Sequence, residues 1–148
     1  MTNFVLIHGA FQGGWIWKTV ATRLRTEGHL VFTPTLDGCG ERAYQLRPGI
    51  TTETQAEELA TFLWSEDLHD LVLVGASAGG MVMAKTAELA RDRVTRLVFS
   101  DALALKHGEC IRDITGGQLS VETELAVGPT REGRLERFRA ELDPATAV

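Results

Sequence analysis

Short apolar runs alternate, along the first two thirds of the chain, with segments whose apolar residues recur every three or four positions. The runs have the length of strands buried on both faces of a parallel sheet, and the second pattern is typical of amphipathic helices packed on such a sheet. The predicted strands are residues 4–7, 29–33, 71–74 and 96–100. Two helices are predicted at residues 15–27 and 78–91, and a further helix between them opens with a capping box of Thr52 and Gln55. This alternation indicates an α/β fold: an incomplete parallel sheet of about four strands with helices on both faces.

The pattern changes after residue 102. Residues 103–148 begin as a polar, irregular stretch, and helical spacing returns only in residues 131–142, through Leu135, Phe138 and Leu142. No further strand is predicted there. The chain therefore divides into a sheet-and-helix unit, residues 1–102, and a separate region, residues 103–148.

Composition and charge reduce the classes of molecule that this protein is expected to bind. The net charge of −5 is spread among residues of both signs, which argues against nucleic acid or an anionic membrane surface as a partner. No stretch approaches the roughly 20 apolar residues that span a bilayer, so we expect a cytoplasmic protein without membrane contact. Cys39 and Cys110 match no metal or redox spacing, so we expect two free thiols, no metal and no cofactor.

The strongest chemical signal is a G-x-S-x-G sequence, Gly75-Ala76-Ser77-Ala78-Gly79, between the third predicted strand and the third predicted helix. A serine on such a turn is held in a strained backbone conformation, with its hydroxyl at the carboxyl edge of the sheet. The following helix directs its first amides and the positive end of its dipole to the same point. A glycine-rich turn with an incidental serine is the alternative, but the flanking elements favour Ser77 as a nucleophile.

A second signal is the H-G-A-F sequence that begins at His8, where the first predicted strand ends. Because ligands collect at the carboxyl ends of parallel strands, we expect this loop to face Ser77. A backbone amide of Ala10 or Phe11 would then join the amide of Ala78 in stabilising a developing oxyanion. His8 is interpreted as a turn residue hydrogen-bonded to the backbone, with a general base as the alternative.

Two stretches resemble the α/β-hydrolase superfamily: H-G-A-F-Q-G-G-W-I-W at residues 8–17 and G-A-S-A-G-G at residues 75–80. Their spacing is similar to that of the compact group of esterases and hydroxynitrile lyases, which includes plant methyl-ester esterases. The resemblance covers about residues 3–110. It implies that residues 1–102 are the N-terminal half of an α/β-hydrolase core and that residues 103–148 are the start of a truncated cap.

The resemblance also implies a catalytic serine, acid and histidine in that chain order. Asp101, directly after the fourth predicted strand, is interpreted as a turn-forming aspartate, with the catalytic acid as the alternative, since some members of the superfamily place their acid there. His29 and His69 precede Ser77, and His107 lies only a few residues into the cap, so none is placed like the family histidine. We therefore expect a fragment that lacks the catalytic acid and histidine.

These residues predict a serine hydrolase that forms an acyl-enzyme on a small or medium-sized hydrophobic ester. A hydroxynitrile lyase or a C–C bond hydrolase is one alternative, although Phe11 supplies no hydroxyl where the lyases commonly use a threonine. A catalytically dead remnant, or a binding module with the same pocket, is another. Coding sequence beyond Val148 with further strands and a histidine would favour the enzyme. The expected partners are a small-molecule substrate and a second copy that pairs with the open sheet edge.

Overall fold

The computed structural model describes residues 1–106, 108–111 and 113. Within them, parallel strands and α-helices follow one another in the order that the hydrophobic pattern predicts. The elements are β1 (Asn3–Ile7), α1 (Lys18–Thr26), β2 (Leu30–Phe32), α2 (Thr52–Ser65), β3 (Leu71–Ser77), α3 (Gly79–Leu89) and β4 (Val94–Ala102), with 3-10 helices at Gly14–Trp17 and Gly40–Gln45. The predicted α/β class is confirmed.

The strands form one parallel sheet in the order β2-β1-β3-β4. In the central pair, Val5 of β1 lies opposite Leu73 of β3, and Ile7 lies opposite Gly75. Parallel pairing brings the carboxyl ends of β1 and β3 to the same edge of the sheet. The loop that begins at His8 therefore lies beside Ser77, as the sequence predicts.

Helices cover both faces of this sheet. On one face, α2 and α3 pack on β1 and β3 through a core formed mainly by Val5, Ile7, Leu71 and Leu73 from the strands and Ala56, Leu59, Leu63, Val82 and Met83 from the helices. On the other face, α1 packs through Ala21 against Leu6 and Val31. Each fully buried aliphatic side chain contributes about 1.5–3 kcal/mol through removal from water. The central strands and their helices thus make a rigid base for the sheet edge that carries Ser77.

Three local predictions need correction. The first helix begins with a 3-10 turn, Gly14–Trp17, because the buried Gly14 donates its amide to Thr35 Oγ1 at 2.8 Å instead of starting a regular helix. The capping box of α2 is formed by Thr51 and Thr54, one residue earlier than predicted. The loop between β2 and α2 also contains a 3-10 helix, Gly40–Gln45, that the pattern did not predict.

Strand β4 is longer than predicted and extends past Asp101. Ser100 pairs with Ala76 and Ala102 pairs with Ser77, so Asp101 is the additional residue of a β-bulge. Asp101 has a φ of 45°, a left-handed conformation that aspartate tolerates better than most residues. The placement of Asp101 in a loop after the strand is therefore wrong.

The far edge of the sheet is apolar. In the part of the chain that the structure describes, β4 pairs with β3 alone. Val98 and Phe99 of β4 are 40% and 43% exposed. The predicted helix at residues 131–142, with Leu135, Phe138 and Leu142, lies outside the described residues. Within those residues, no helix is long and apolar enough to cross a membrane.

Candidate active site

Ser77 occupies a strained position at the junction of strand and helix. It is the last residue of β3, and α3 begins two residues later. Its φ is 48°, in the left-handed region that costs an ordinary L-residue about 1–2 kcal/mol. The side chain is exposed at the carboxyl edge of the sheet. Strain of this kind clusters at functional sites, where surrounding structure holds it in place.

Two glycines let the backbone segments around Ser77 approach one another. A Cβ atom on Gly79 would lie 2.8 Å from the Ile7 carbonyl oxygen and closer still to that of His8, so only glycine lets α3 start against the end of β1. A Cβ atom on Gly9 would lie 3.0 Å from Ser77 Cβ. The loop after β1 is thus in direct contact with the serine.

A largely apolar cavity of about 490 Å³ opens beside this contact. All three residues of the predicted oxyanion site line it: Ala10 and Phe11 from the β1 loop and Ala78 from the start of α3. The apolar part of its lining comes mainly from Leu36, Leu46, Ile50, Met81, Val82 and Ile111. Ser77 immediately precedes Ala78 in the chain and lies against Gly9, which also lines the cavity.

The amide of Phe11 has a partner within this cavity. Phe11 has a φ of 60°, and its backbone N–H hydrogen-bonds to the thiol of Cys39. Burial raises the pKa of Cys39, and this hydrogen bond opposes the rise only in part, so the thiol is the form at neutral pH. Gln55 Nε2 lies 3.9 Å from the Cys39 sulphur and donates to the Asp37 carbonyl oxygen at 2.9 Å. Cys39 and Gln55 therefore support the loop, and sequence reasoning missed both contacts.

His8 is fully buried and bonded to the backbone through both ring nitrogens. Nε2 accepts the Leu36 amide at 2.9 Å, which leaves Nδ1 to donate to the Gly9 carbonyl oxygen at 2.7 Å. Burial is the main cause that lowers its pKa below the ordinary value of 6.5. The predicted role as a hydrogen-bonded turn residue is confirmed. Because neither nitrogen is available to a substrate, His8 is not placed as a general base.

The lowered pKa of His8 should make the fold less stable in acid. The unfolded chain binds a proton near pH 6.5 and the folded chain only at lower pH, so the free energy of unfolding should fall as pH decreases from 6.5 towards the folded pKa. Urea unfolding at a series of pH values between 7.5 and 5 measures this slope. His8→Asn should flatten it, whereas Ser100→Ala, which removes no titratable group, should keep it. Equal slopes in all three proteins would contradict the expectation.

The other candidate groups are less closely associated with Ser77. Asp101 is exposed on the bulge opposite the end of β3, at the same edge of the sheet as Ser77. His29 and His69 precede β2 and β3, so they lie at the opposite edge. His107 lies outside the described residues. The structure thus places Ser77 against the loop that follows β1 and next to Ala78. Among the described histidines, His8 alone lies at that edge of the sheet.

The fold and this site agree with the sequence comparisons. Residues 4–147 match the sequence profile of the Alpha/beta hydrolase family. The chain therefore belongs to the α/β-hydrolase family, and the resemblance on which the sequence analysis relied is confirmed.

Individual relatives place the chain more narrowly. It is 40% identical over 148 residues to a carbendazim hydrolyzing esterase of Nocardioides sp. (strain SG-4G), covering 99% of this chain and 61% of that protein. It is 31% identical over 101 residues to an alpha-hydroxynitrile lyase of Arabidopsis thaliana, covering 68% and 39%. An extracellular α/β-hydrolase of a Paenibacillus species superposes with a TM-score of 0.71 at 30% identity, covering 95% and 52%. The chain thus spans about three fifths or less of these proteins.

Proposed function

We propose that the protein is a serine esterase in which Ser77 is the nucleophile. One observation carries the proposal: Ser77 stands in a strained conformation between β3 and α3, against the β1 loop and beside an apolar cavity. A strand-to-helix turn of this kind is the nucleophile elbow of α/β-hydrolases. The similarity to an esterase over nearly the whole chain supports ester hydrolysis as the reaction.

In the proposed mechanism, the Ser77 hydroxyl gives its proton to a base and attacks the ester carbonyl. The ester C–O bond then breaks, the alcohol leaves with that proton, and water hydrolyses the acyl-enzyme to the acid and free Ser77. The amides of Ala10 and Ala78 stabilise the negative oxygen of the tetrahedral intermediate. Phe11 remains a candidate donor from the same loop, but the bond from its amide to Cys39 favours Ala10. The amino end of α3 adds its positive partial charge at this point.

A hydroxyl is a weak nucleophile at neutral pH, so Ser77 needs a positioned base. His8 has both ring nitrogens bonded to the backbone, which leaves the base to a histidine outside the described residues. Asp101 stays a candidate acid because it lies at the same sheet edge as Ser77. The identity of the base and the expectation that the chain is a fragment both stay predictions.

The cavity favours a neutral, hydrophobic substrate of small or medium size. Its surface is mostly apolar, and its one arginine, Arg47, is paired with Asp37 in the part of the chain that the structure describes. Carbendazim, the compound named for the Nocardioides relative, is a candidate substrate. Lyase chemistry is the second candidate because of the Arabidopsis relative, but Phe11 carries no hydroxyl to assist it.

The proposal is tested with protein expressed from the complete open reading frame that contains this chain. We expect it to hydrolyse carbendazim or neutral alkyl esters and to turn over esters with a second, anionic carboxylate more slowly. Release of acid and alcohol is followed by chromatography, with mandelonitrile as the lyase substrate. Cleavage of mandelonitrile without cleavage of any ester would favour the lyase. Binding of esters with no turnover would favour the dead enzyme or binding module.

Two further expectations belong to the same proposal. The exposed Val98 and Phe99 on β4 offer an apolar strand edge through which two copies of the chain would associate. The cytoplasmic location predicted from the sequence stays a prediction, since the Paenibacillus relative is described as extracellular.

A further inference from the structure

One wall of the apolar cavity belongs to an irregular segment, residues 46–50, between β2 and α2. Leu46 and Ile50 supply its apolar surface. The residues from Leu46 to Gly49 are each exposed, so the segment buries little surface of its own. Segments with few buried contacts open at low free-energy cost unless a specific interaction holds them.

A two-pronged ion pair between Arg47 and Asp37 ties this wall to the loop after β2. Arg47 Nη2 lies 2.7 Å from Asp37 Oδ2, and Nη1 donates to Oδ1 at 3.2 Å. Nη1 also donates to the Gln45 carbonyl oxygen at 3.0 Å, which fixes the guanidinium against its own segment. Paired hydrogen bonds of this kind restrict both distance and orientation.

The two partners differ in how firmly the rest of the protein holds them. Asp37 is buried in the loop after β2, and Gln55 of α2 donates to its carbonyl oxygen. Arg42 Nη2 also lies 3.8 Å from Asp37 Oδ1. Arg47 has a side chain that is 60% exposed. Asp37 is therefore the fixed anchor, and Arg47 ties the wall to it.

A second, more polar cavity of about 670 Å³ lies on the other side of this wall. Asp37, Leu46 and Arg47 line both cavities, so the ion pair and its segment form the partition between them. The second cavity is otherwise lined by Arg42, Tyr44, Gln45, Thr54 and Glu58. Movement of the wall would join the two spaces and lengthen the cavity beside Ser77.

We infer that Arg47 is a specificity-determining residue: by tying residues 46–50 to Asp37, it limits the length of the substrate group that the cavity beside Ser77 accepts. The inference rests on the proposed esterase function. Arg47 touches no reacting atom and acts through the position of the wall. Its loss should therefore change the preference among esters more than the chemistry at Ser77.

The test compares the open-reading-frame protein with its Arg47→Ala and Arg47→Lys variants on p-nitrophenyl esters from acetate to decanoate. For Arg47→Ala, the ratio of kcat/KM for decanoate to that for acetate should rise about fivefold, mostly through a lower KM for decanoate. Arg47→Lys keeps the charge but loses the two-pronged geometry, so its ratio should be intermediate. In the original protein, about 1 M NaCl should raise the ratio by screening the pair.

Arg23→Ala is the matched control. It removes an exposed ion pair with Glu27 at 3.3 Å on α1, a helix that contributes no residue to either cavity. Its ratio of kcat/KM for decanoate to that for acetate should equal the ratio of the original protein. Hydrogen exchange gives a second readout that needs no turnover. The amides of Leu46, Arg47, Gly49 and Ile50 should exchange faster in Arg47→Ala and at the original rate in Arg23→Ala.

If Arg47→Ala is active and its decanoate-to-acetate ratio of kcat/KM is unchanged, the inference is overturned and the esterase proposal stays intact. If that variant does not fold, Arg47→Lys and the salt series decide in its place. If the original protein cleaves no ester and Ser77 cannot be acylated, the proposed function fails and the inference fails with it. In that case, faster hydrogen exchange of this segment in Arg47→Ala would show only that Arg47 stabilises the segment, with no role in substrate preference.

Discussion

Replacing Ser77 by alanine is expected to lower kcat/KM of the open-reading-frame protein for esters by about 10⁴-fold or more, because loss of a triad serine leaves only the residual catalysis of binding and oxyanion stabilisation. The free energy of unfolding should change little, since alanine is subject to the same left-handed strain at a φ of 48°. Ester hydrolysis and urea unfolding measure the two effects.

Two companion variants separate chemistry from folding. Ser77→Gly should be equally inactive but more stable by about 1 kcal/mol, because glycine adopts this φ without strain. Ser100→Ala changes an exposed serine of β4 opposite Ala76 and should keep full activity. Retained turnover in Ser77→Ala, or a comparable loss in Ser100→Ala, would contradict the role of Ser77.

Replacing Gly79 by alanine should destabilise the protein by about 3 kcal/mol, the range of a substitution that forces the backbone to shift. The new Cβ atom would press on the carbonyl oxygens of Ile7 and His8, which belong to the backbone at the end of the central strand β1 and cannot rotate away. Esterase activity should fall as well, since α3 would move relative to the β1 loop. Urea unfolding monitored by tryptophan fluorescence measures the stability loss.

Gly28→Ala is the control for this substitution. Gly28 has a φ of 86° and no atom within 4 Å of an added Cβ, so its replacement introduces backbone strain without a steric clash. We expect a loss of about 1 kcal/mol there, with activity retained. Equal losses at the two glycines would show that α3 tolerates a side chain at its start, and would argue against the close approach of α3 to β1.

The Ser77 turn was predictable because its signal is local. A G-x-S-x-G sequence between a buried strand and an amphipathic helix specifies both the sharp turn and its place in the sheet. The order of strands and helices was predictable for a similar reason, since each element carries its own hydrophobic period. Family resemblance added the expected order of the catalytic serine, acid and histidine along the sequence.

Contacts between distant segments were not predictable. The amide of Phe11 meets the thiol of Cys39 only because the loops after β1 and β2 fold over each other, and no periodicity records that approach. The ion pair of Arg47 with Asp37 joins residues of an irregular segment in the same way. The predicted ends of helices and strands were wrong by one or two residues where adjacent residues are equally suited to the same position.

The start of α2 and the end of β4 illustrate such competition. Thr51 and Thr52 are both good helix caps, and the glutamine three residues after Thr52 fits the usual capping box better than Thr54 does. The structure nevertheless pairs Thr51 with Thr54. At the end of β4, Asp101 is a typical loop residue, yet a bulge accommodates it within the strand.

The central claim is that Ser77 is acylated during catalysis, and trapping that adduct tests it most directly. The open-reading-frame protein is reacted with a fluorophosphonate, digested and sequenced by mass spectrometry. We expect one equivalent of label on the peptide that contains Ser77, loss of esterase activity in proportion to labelling, and no label in Ser77→Ala. Stoichiometric label at another residue, or full activity in protein labelled at Ser77, would contradict the account.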